Sequence, residues 1–184
     1  MRIEIVQGDI TTLAVDAVVN AASPRMRGGG GVDGAIHAAG GPEILADCIR
    51  RFPDGLPTGQ AGWTTAGRLP ARWVIHVVGP NRTAGQVDRS LLTSCYSNAL
   101  AVADELGARS VAFPLVSAGI YGWPLADAAR AAVETVSGTP TEVETALLVG
   151  YGPAATAALR EALAEAPGHQ ASGDRGSDGQ GQVD

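Results

Sequence analysis

Asp33 follows four consecutive glycines, in Arg27-Gly28-Gly29-Gly30-Gly31-Val32-Asp33-Gly34-Ala35-Ile36, and what comes after it reads as the first turn of a helix. A glycine run in an ordered region costs several times ~0.5–1 kcal/mol relative to alanine, because glycine loses the most conformational entropy on folding. Bare backbone here implies a ligand approaching main-chain N–H groups. A second loop of this kind, Ser117-Ala118-Gly119-Ile120-Tyr121-Gly122, runs into a helix expected to begin near Pro124. Backbone N–H groups beside a helix N-terminus bind phosphate without a cationic side chain. Two such nests at one sheet edge suggest a diphosphate. An acid inside a phosphate-binding loop is unfavourable through like-charge repulsion, so Asp33 points to chemistry rather than to binding alone. The structural alternative is a first-turn acid that complements the helix dipole.

All 13 basic residues are arginine. Without lysine, a Walker phosphate loop and Schiff-base chemistry are excluded. The formal charge of −6 argues against a broad nucleic-acid footprint. Cys48 and Cys95 lie apart in helix-like segments and read as buried thiols, and neither joins His37 or His76 at metal-ligand spacing. No metal or cofactor is expected. No apolar run is long enough to span a bilayer, and the opening residues alternate like a strand rather than a leader. A cytoplasmic protein is the expectation.

The elements that must position these loops are legible from periodicity. Strands are expected at Arg2–Val6, Ala17–Asn20, Ala61–Thr65, Trp73–Val78, Ser110–Val116 and Glu144–Tyr151. Several are near-continuous apolar runs, as when both sheet faces are covered. Helices are expected at Gly34–Ala39, Pro42–Arg51, Asp88–Leu106, Pro124–Val136 and Pro153–Ala164. The interleaving predicts a three-layer α/β/α sandwich with a central mixed sheet, built as one domain over residues 1–166, and a polar disordered tail over 167–184. Both glycine loops then leave the carboxyl ends of strands, where open α/β sheets bind ligands. The Gly29-x-Gly31-x-x-Gly34 pattern matches a dinucleotide-binding fingerprint, but seven residues separate the strand from the start of the glycine run and Gly40-Gly41-Pro42 soon breaks the helix.

Val6-Gln7-Gly8-Asp9-Ile10-Thr11, Val18-Val19-Asn20-Ala21-Ala22, the glycine stretch through His37, Val74-Ile75-His76 with Val78-Gly79-Pro80, and Ala112-Phe113-Pro114 with Ser117-x-Gly119-x-Tyr121-Gly122 together resemble a macrodomain of the MacroD type. The resemblance implies binding of ADP-ribose, and hydrolysis of O-acetyl-ADP-ribose or of ADP-ribose esterified to Asp or Glu. By the same resemblance, Asp33 is the catalytic acid that orients a water. Asp9 and the Ile10 N–H would meet the adenine, with Tyr151 nearby. Asn20 and the Gly30-Gly31-Val32 backbone would contact the ligand. Ser117, Ala118, Gly119 and Ile120 would cradle the diphosphate, and Tyr121 would flank the distal ribose. His37 and His76 are expected to be hydrogen-bonded structural histidines.

The sequence departs from the family at Ser23, where the family has the second Asn of Asn-Ala-Ala-Asn, a ribose contact that cooperates with the acid. Loss of a transition-state hydrogen bond costs ~2.7–4 kcal/mol. Ala118 replaces a usual Thr. Two other readings stay open. One is a hydrolase of ADP-ribosylated nucleic acid, with Arg25 and Arg27 touching the strand rather than serving as solvated loop charge. The other is a non-catalytic ADP-ribose reader.

Overall fold

The computed structural model describes residues 1–168, so all but the first two residues of the expected tail lie outside the described residues. Six strands, β1 (Arg2–Gln7), β2 (Val15–Ala21), β3 (Ala61–Thr65), β4 (Ala71–Val77), β5 (Ser110–Phe113) and β6 (Thr145–Gly150), form one sheet in the order β1-β6-β5-β2-β4-β3. All neighbours are parallel except the edge pair β3–β4, which is antiparallel.

Strand periodicity sorts side chains between two cores. Ala17 and Val19 of β2, Ile75 and Val77 of β4, and Val111 and Phe113 of β5 face a cluster built with α3 (Arg89–Leu106), α4 (Leu125–Gly138) and α5 (Pro153–Glu165). Their neighbours Val18, Val74 and Ala112 face the other side, against Ile36 of α1 (Gly31–Gly40) and Ile44 and Cys48 of α2 (Pro42–Arg51). The result is the expected three-layer sandwich. Among the described residues no helix is long and apolar enough to cross a membrane.

Element ends differ from the sequence expectation for local reasons. β5 stops at Phe113 rather than Val116, because Pro114 has no N–H to give the ladder. α1 starts at Gly31, three residues before Gly34, so Asp33 lies inside its first turn. α2 and α5 open on Pro42 and Pro153 at first-turn positions, whereas Pro124 sits at the N-cap of α4. The Asp16 carboxylate ties the starts of β2 and β5 together, accepting from the Arg109 N–H at 2.8 Å and the Ser110 N–H at 3.0 Å. Partial burial raises its pKa, but these amides, with the Ser110 side chain and the Arg72 charge, together hold it below the ordinary value.

Candidate active site

At the carboxyl ends of β1, β2, β5 and β6 lies one cavity of about 650 Å³, a volume in the usual range of ~300–1,000 Å³ for small-molecule sites. The first glycine loop forms one wall. Leaving β2, the chain turns at Ser23–Met26, where the Met26 N–H meets the Ser23 carbonyl at 2.9 Å. Met26 takes a φ of 57° and buries its side chain, which fastens the loop to the α1/α2 core. The Arg27 guanidinium donates to the carbonyls of Arg25, Met26, Phe52 and Pro53. It is therefore a staple between this loop and the C-terminal end of α2, and neither solvated charge nor a free contact for a nucleic-acid strand.

Within the run Gly28 turns at φ 83°, and two further glycines set where α1 begins. Gly31 opens α1 at φ 59°, a conformation that side chains rarely take. At Gly34 a Cβ would lie 2.6 Å from the Gly29 carbonyl oxygen, so the helix and the loop before it pack at a distance that only glycine allows.

That close packing sets Asp33 on the cavity wall with 3% of its surface exposed. Its Oδ1 accepts a hydrogen bond from Asn20 Nδ2 at 2.8 Å and faces His37 Nε2 at 3.4 Å. Its Oδ2 is buried and has no partner among the described residues. Asn20 is fully buried and lies behind the wall, not on it. Ser23 is on the wall, with its Oγ donating to the Gly28 carbonyl at 3.2 Å.

Behind Asn20 stands His76, wholly buried on β4. Its Nδ1 is 3.1 Å from Asn20 Nδ2, and its Nε2 is 2.8 Å from Thr64 Oγ1. Burial pushes its pKa down to about 4, opposed by the Asp33 charge, so the ring is neutral at ordinary pH. Burial, aided by the charges of Asp33 and Asp47, pushes the nearby Cys48 thiol up to about 11, and burial alone pushes Cys95 up to about 12. Both are free, buried thiols without nucleophilic character at neutral pH. Among the described residues no three His, Cys, Asp or Glu side chains gather as a metal site requires.

The second loop forms the facing wall. It is hung on Tyr96, a fully buried residue of α3 whose hydroxyl accepts from the Val116 N–H at 3.0 Å and donates to the Pro114 carbonyl at 3.3 Å. Ser117 follows at φ 64°, with a buried Oγ that has no partner among the described residues. The Trp123 N–H closes the loop on the Ser117 carbonyl at 2.9 Å. Ala118, Gly119, Ile120 and Tyr121 all line the cavity. Ile120 is 80% exposed, and its Cδ1 lies 3.8 Å from where a Cβ on Gly30 would be, so the two loops nearly meet across the cleft.

The far end is made by β1 and β6. Exposed Asp9 caps a short 3-10 turn, Ile10–Thr12, its Oδ1 accepting from the Thr11 N–H at 2.9 Å and the Thr11 hydroxyl at 2.7 Å. Ile10 lines the cavity, and Tyr151 projects beside it with 88% of its surface exposed. The first turns of α1, α4 and α5 reach the same cavity through Gly31, Leu125 and Ala155. Among the described residues no basic side chain lines it. Anion attraction there rests on backbone amides and helix N-termini.

Of the residues expected at the site, all but Asn20 thus line one cavity. Tyr96, Thr64 and the Arg27 staple carry no signal in the sequence, since their partners are distant along the chain.

Residues 19–132, more than half of the chain, match the family model described as Macro domain. A Macro domain-containing protein of Streptomyces nogalater is 59% identical over 146 residues, covering 77% of this chain and 81% of that protein. The O-acetyl-ADP-ribose deacetylase of Citrobacter rodentium is 53% identical over 139 residues, covering 74% and 78%. The solved structure of a mutant Oceanobacillus iheyensis macrodomain with ADPR superposes with a TM-score of 0.82 at 37% identity, covering 88% of this chain and 91% of that one. The family model, the relatedness over most of the chain and the superposition agree, and the protein belongs to the macrodomain family.

Proposed function

We propose that the protein is an ADP-ribose-binding hydrolase that cleaves an ester at the distal ribose, in O-acetyl-ADP-ribose or in ADP-ribose attached to a protein Asp or Glu. The observation that carries the reading is the Asp33 Oδ2, a buried carboxylate oxygen without a partner on the wall of a cavity whose other wall is a phosphate-type nest. The relatedness to the Citrobacter rodentium deacetylase supports it.

In this reading Asp9, Ile10 and Tyr151 hold the adenine end, and the two loops take the diphosphate on backbone N–H groups. The Ser117 hydroxyl adds a donor. Tyr121, Ser23 and Asp33 surround the distal ribose. Asp33 Oδ2 accepts a hydrogen bond from a water and orients its oxygen toward the acyl carbon. The new C–O bond forms as the bond to the ribose oxygen breaks, and the ribose oxygen leaves with a proton as a hydroxyl. The products are ADP-ribose and a carboxylic acid. Orientation of one water supplies much of the acceleration. A cytoplasmic location suits this small-molecule and protein chemistry.

The test is release of ADP-ribose from O-acetyl-ADP-ribose and from Glu-modified protein, comparing wild type with Asp33→Ala. Turnover should fall at least ~100-fold in the variant while calorimetry shows ADP-ribose still bound. Binding without turnover in the wild type would make the protein a reader instead.

A further inference from the structure

Four buried polar side chains form an unbroken line from the edge of the sheet to the cavity wall: Thr64 on β3, His76 on β4, Asn20 on β2 and Asp33 on α1. Successive contacts are 2.8, 3.1 and 2.8 Å. Donor counting fixes the direction of every one. The Thr64 hydroxyl gives its only proton to the Thr65 carbonyl at 3.0 Å, so toward His76 it accepts. The proton between them therefore belongs to His76 Nε2. Nδ1 is then a bare lone pair, and takes one N–H of the Asn20 amide. The other N–H of that amide goes to Asp33 Oδ1.

The opposite tautomer breaks the line. A proton on Nδ1 would face the Asn20 N–H group, and rotating the amide to relieve this would set its oxygen against the Asp33 carboxylate. The orientation shown leaves Asn20 Oδ1 buried without a partner, which is tolerated because the flipped alternative opposes two acceptors. Asp33 and His37 of α1 and Asp47 and Cys48 of α2 are the other ionisable groups around the ring. Of these, His37 reaches Asp33 only at 3.4 Å. Among the described residues Asn20 thus gives Asp33 its one well-directed side-chain hydrogen bond, and Asn20 in turn depends on the ring.

We propose that His76, held as its Nε2–H tautomer by Thr64, is a positioning residue for Asp33: it orients the Asn20 amide, and through it the carboxylate oxygen that faces the cavity. The proposal rests on the reading of Asp33 as the group that directs the water. It separates the ligand grip, which the loops supply, from alignment of the acid, which the sheet supplies from behind.

The experiment combines ring ¹⁵N NMR of His76 with kcat, KM and ADP-ribose Kd for wild type, Thr64→Val, His76→Gln and His76→Leu. The wild-type ring should carry its proton on Nε2. Thr64→Val keeps the shape and removes the acceptor, so the ring should become a tautomer mixture and kcat should fall about tenfold, by analogy with other supporting-shell losses. Kd and KM should stay within about twofold. Glutamine can accept from Asn20 and donate to Thr64, so His76→Gln should retain more of kcat than His76→Leu. Should either His76 variant fail to fold, Thr64→Val carries the test. An Nδ1–H ring in an active wild type, or unchanged kcat in Thr64→Val, would overturn the positioning role alone. A wild type with an Nε2–H ring and no turnover on any ester would overturn the reading of Asp33, and the positioning role with it.

Discussion

Gly34→Ala sets helix propensity against the site. On propensity alone, alanine in a helix gains ~0.8–1 kcal/mol over glycine. At Gly34 the new Cβ would stand 2.6 Å from the Gly29 carbonyl oxygen, a backbone atom that cannot swing away. To reach even a tight contact, the Gly29 peptide must retreat by at least about 0.4 Å, since packed interiors leave no slack. That peptide borders the acid: a Cβ on Gly29 would lie 3.0 Å from Asp33 Oδ2. Misplacement by 1 Å can cost ~100-fold in rate, so a shift of this size should cost about tenfold in kcat/KM. Gly138 in α4 is the matched control, because a Cβ there meets nothing within 4 Å. Gly138→Ala should raise Tm by ~2–4 °C with full activity. Ester hydrolysis and thermal melts of the two variants provide the comparison. If Gly34→Ala gained the same stability as Gly138→Ala and kept wild-type kcat/KM, the claim that glycine is there for close packing of the loop would be refuted.

Tyr96→Phe should strand the Val116 N–H and Pro114 carbonyl, costing ~1–3 kcal/mol, lowering Tm by at least ~2 °C and weakening ADP-ribose binding measured by calorimetry. Tyr151→Ala should leave Tm unchanged, because the side chain is 88% exposed, while Kd for ADP-ribose rises about tenfold through loss of base stacking. Asp16→Ala should destabilise by ~2 kcal/mol at neutral pH. Since the folded-state pKa of Asp16 is depressed, that advantage of the wild type is fully present above the unfolded value near 3.8 and is lost as pH falls through the lower folded value, which denaturant melts from pH 7 to pH 2 would follow.

The sheet was legible because its strands are buried on both faces, so Ala17–Asn20 and Ser110–Phe113 read as apolar runs whatever packs on them. The start of α1 was less so. Glycine carries no helix preference, and Gly31 joins the helix only because the loop behind it packs against Gly34. Asp33, Ser23 and the second loop announced themselves by residue type beside glycine. Asn20 did so too, but a motif does not tell whether a side chain faces the cavity or lies beneath it. His76 read as a structural histidine in a buried strand. Its link to Asn20 spans 56 residues and depends on strand register, which no local pattern reports.

The Arg27 staple bears on what can be transplanted. Its guanidinium is spent on carbonyls that include Phe52 and Pro53, just past α2, and the Leu56 N–H returns a bond to the Pro24 carbonyl at 2.8 Å. A designer who moved only residues 20–37 into another scaffold would carry the acid and the glycines but leave their anchor behind. The smallest portable unit is discontinuous: the loop with its helix, and the far end of α2 with the turn that follows it.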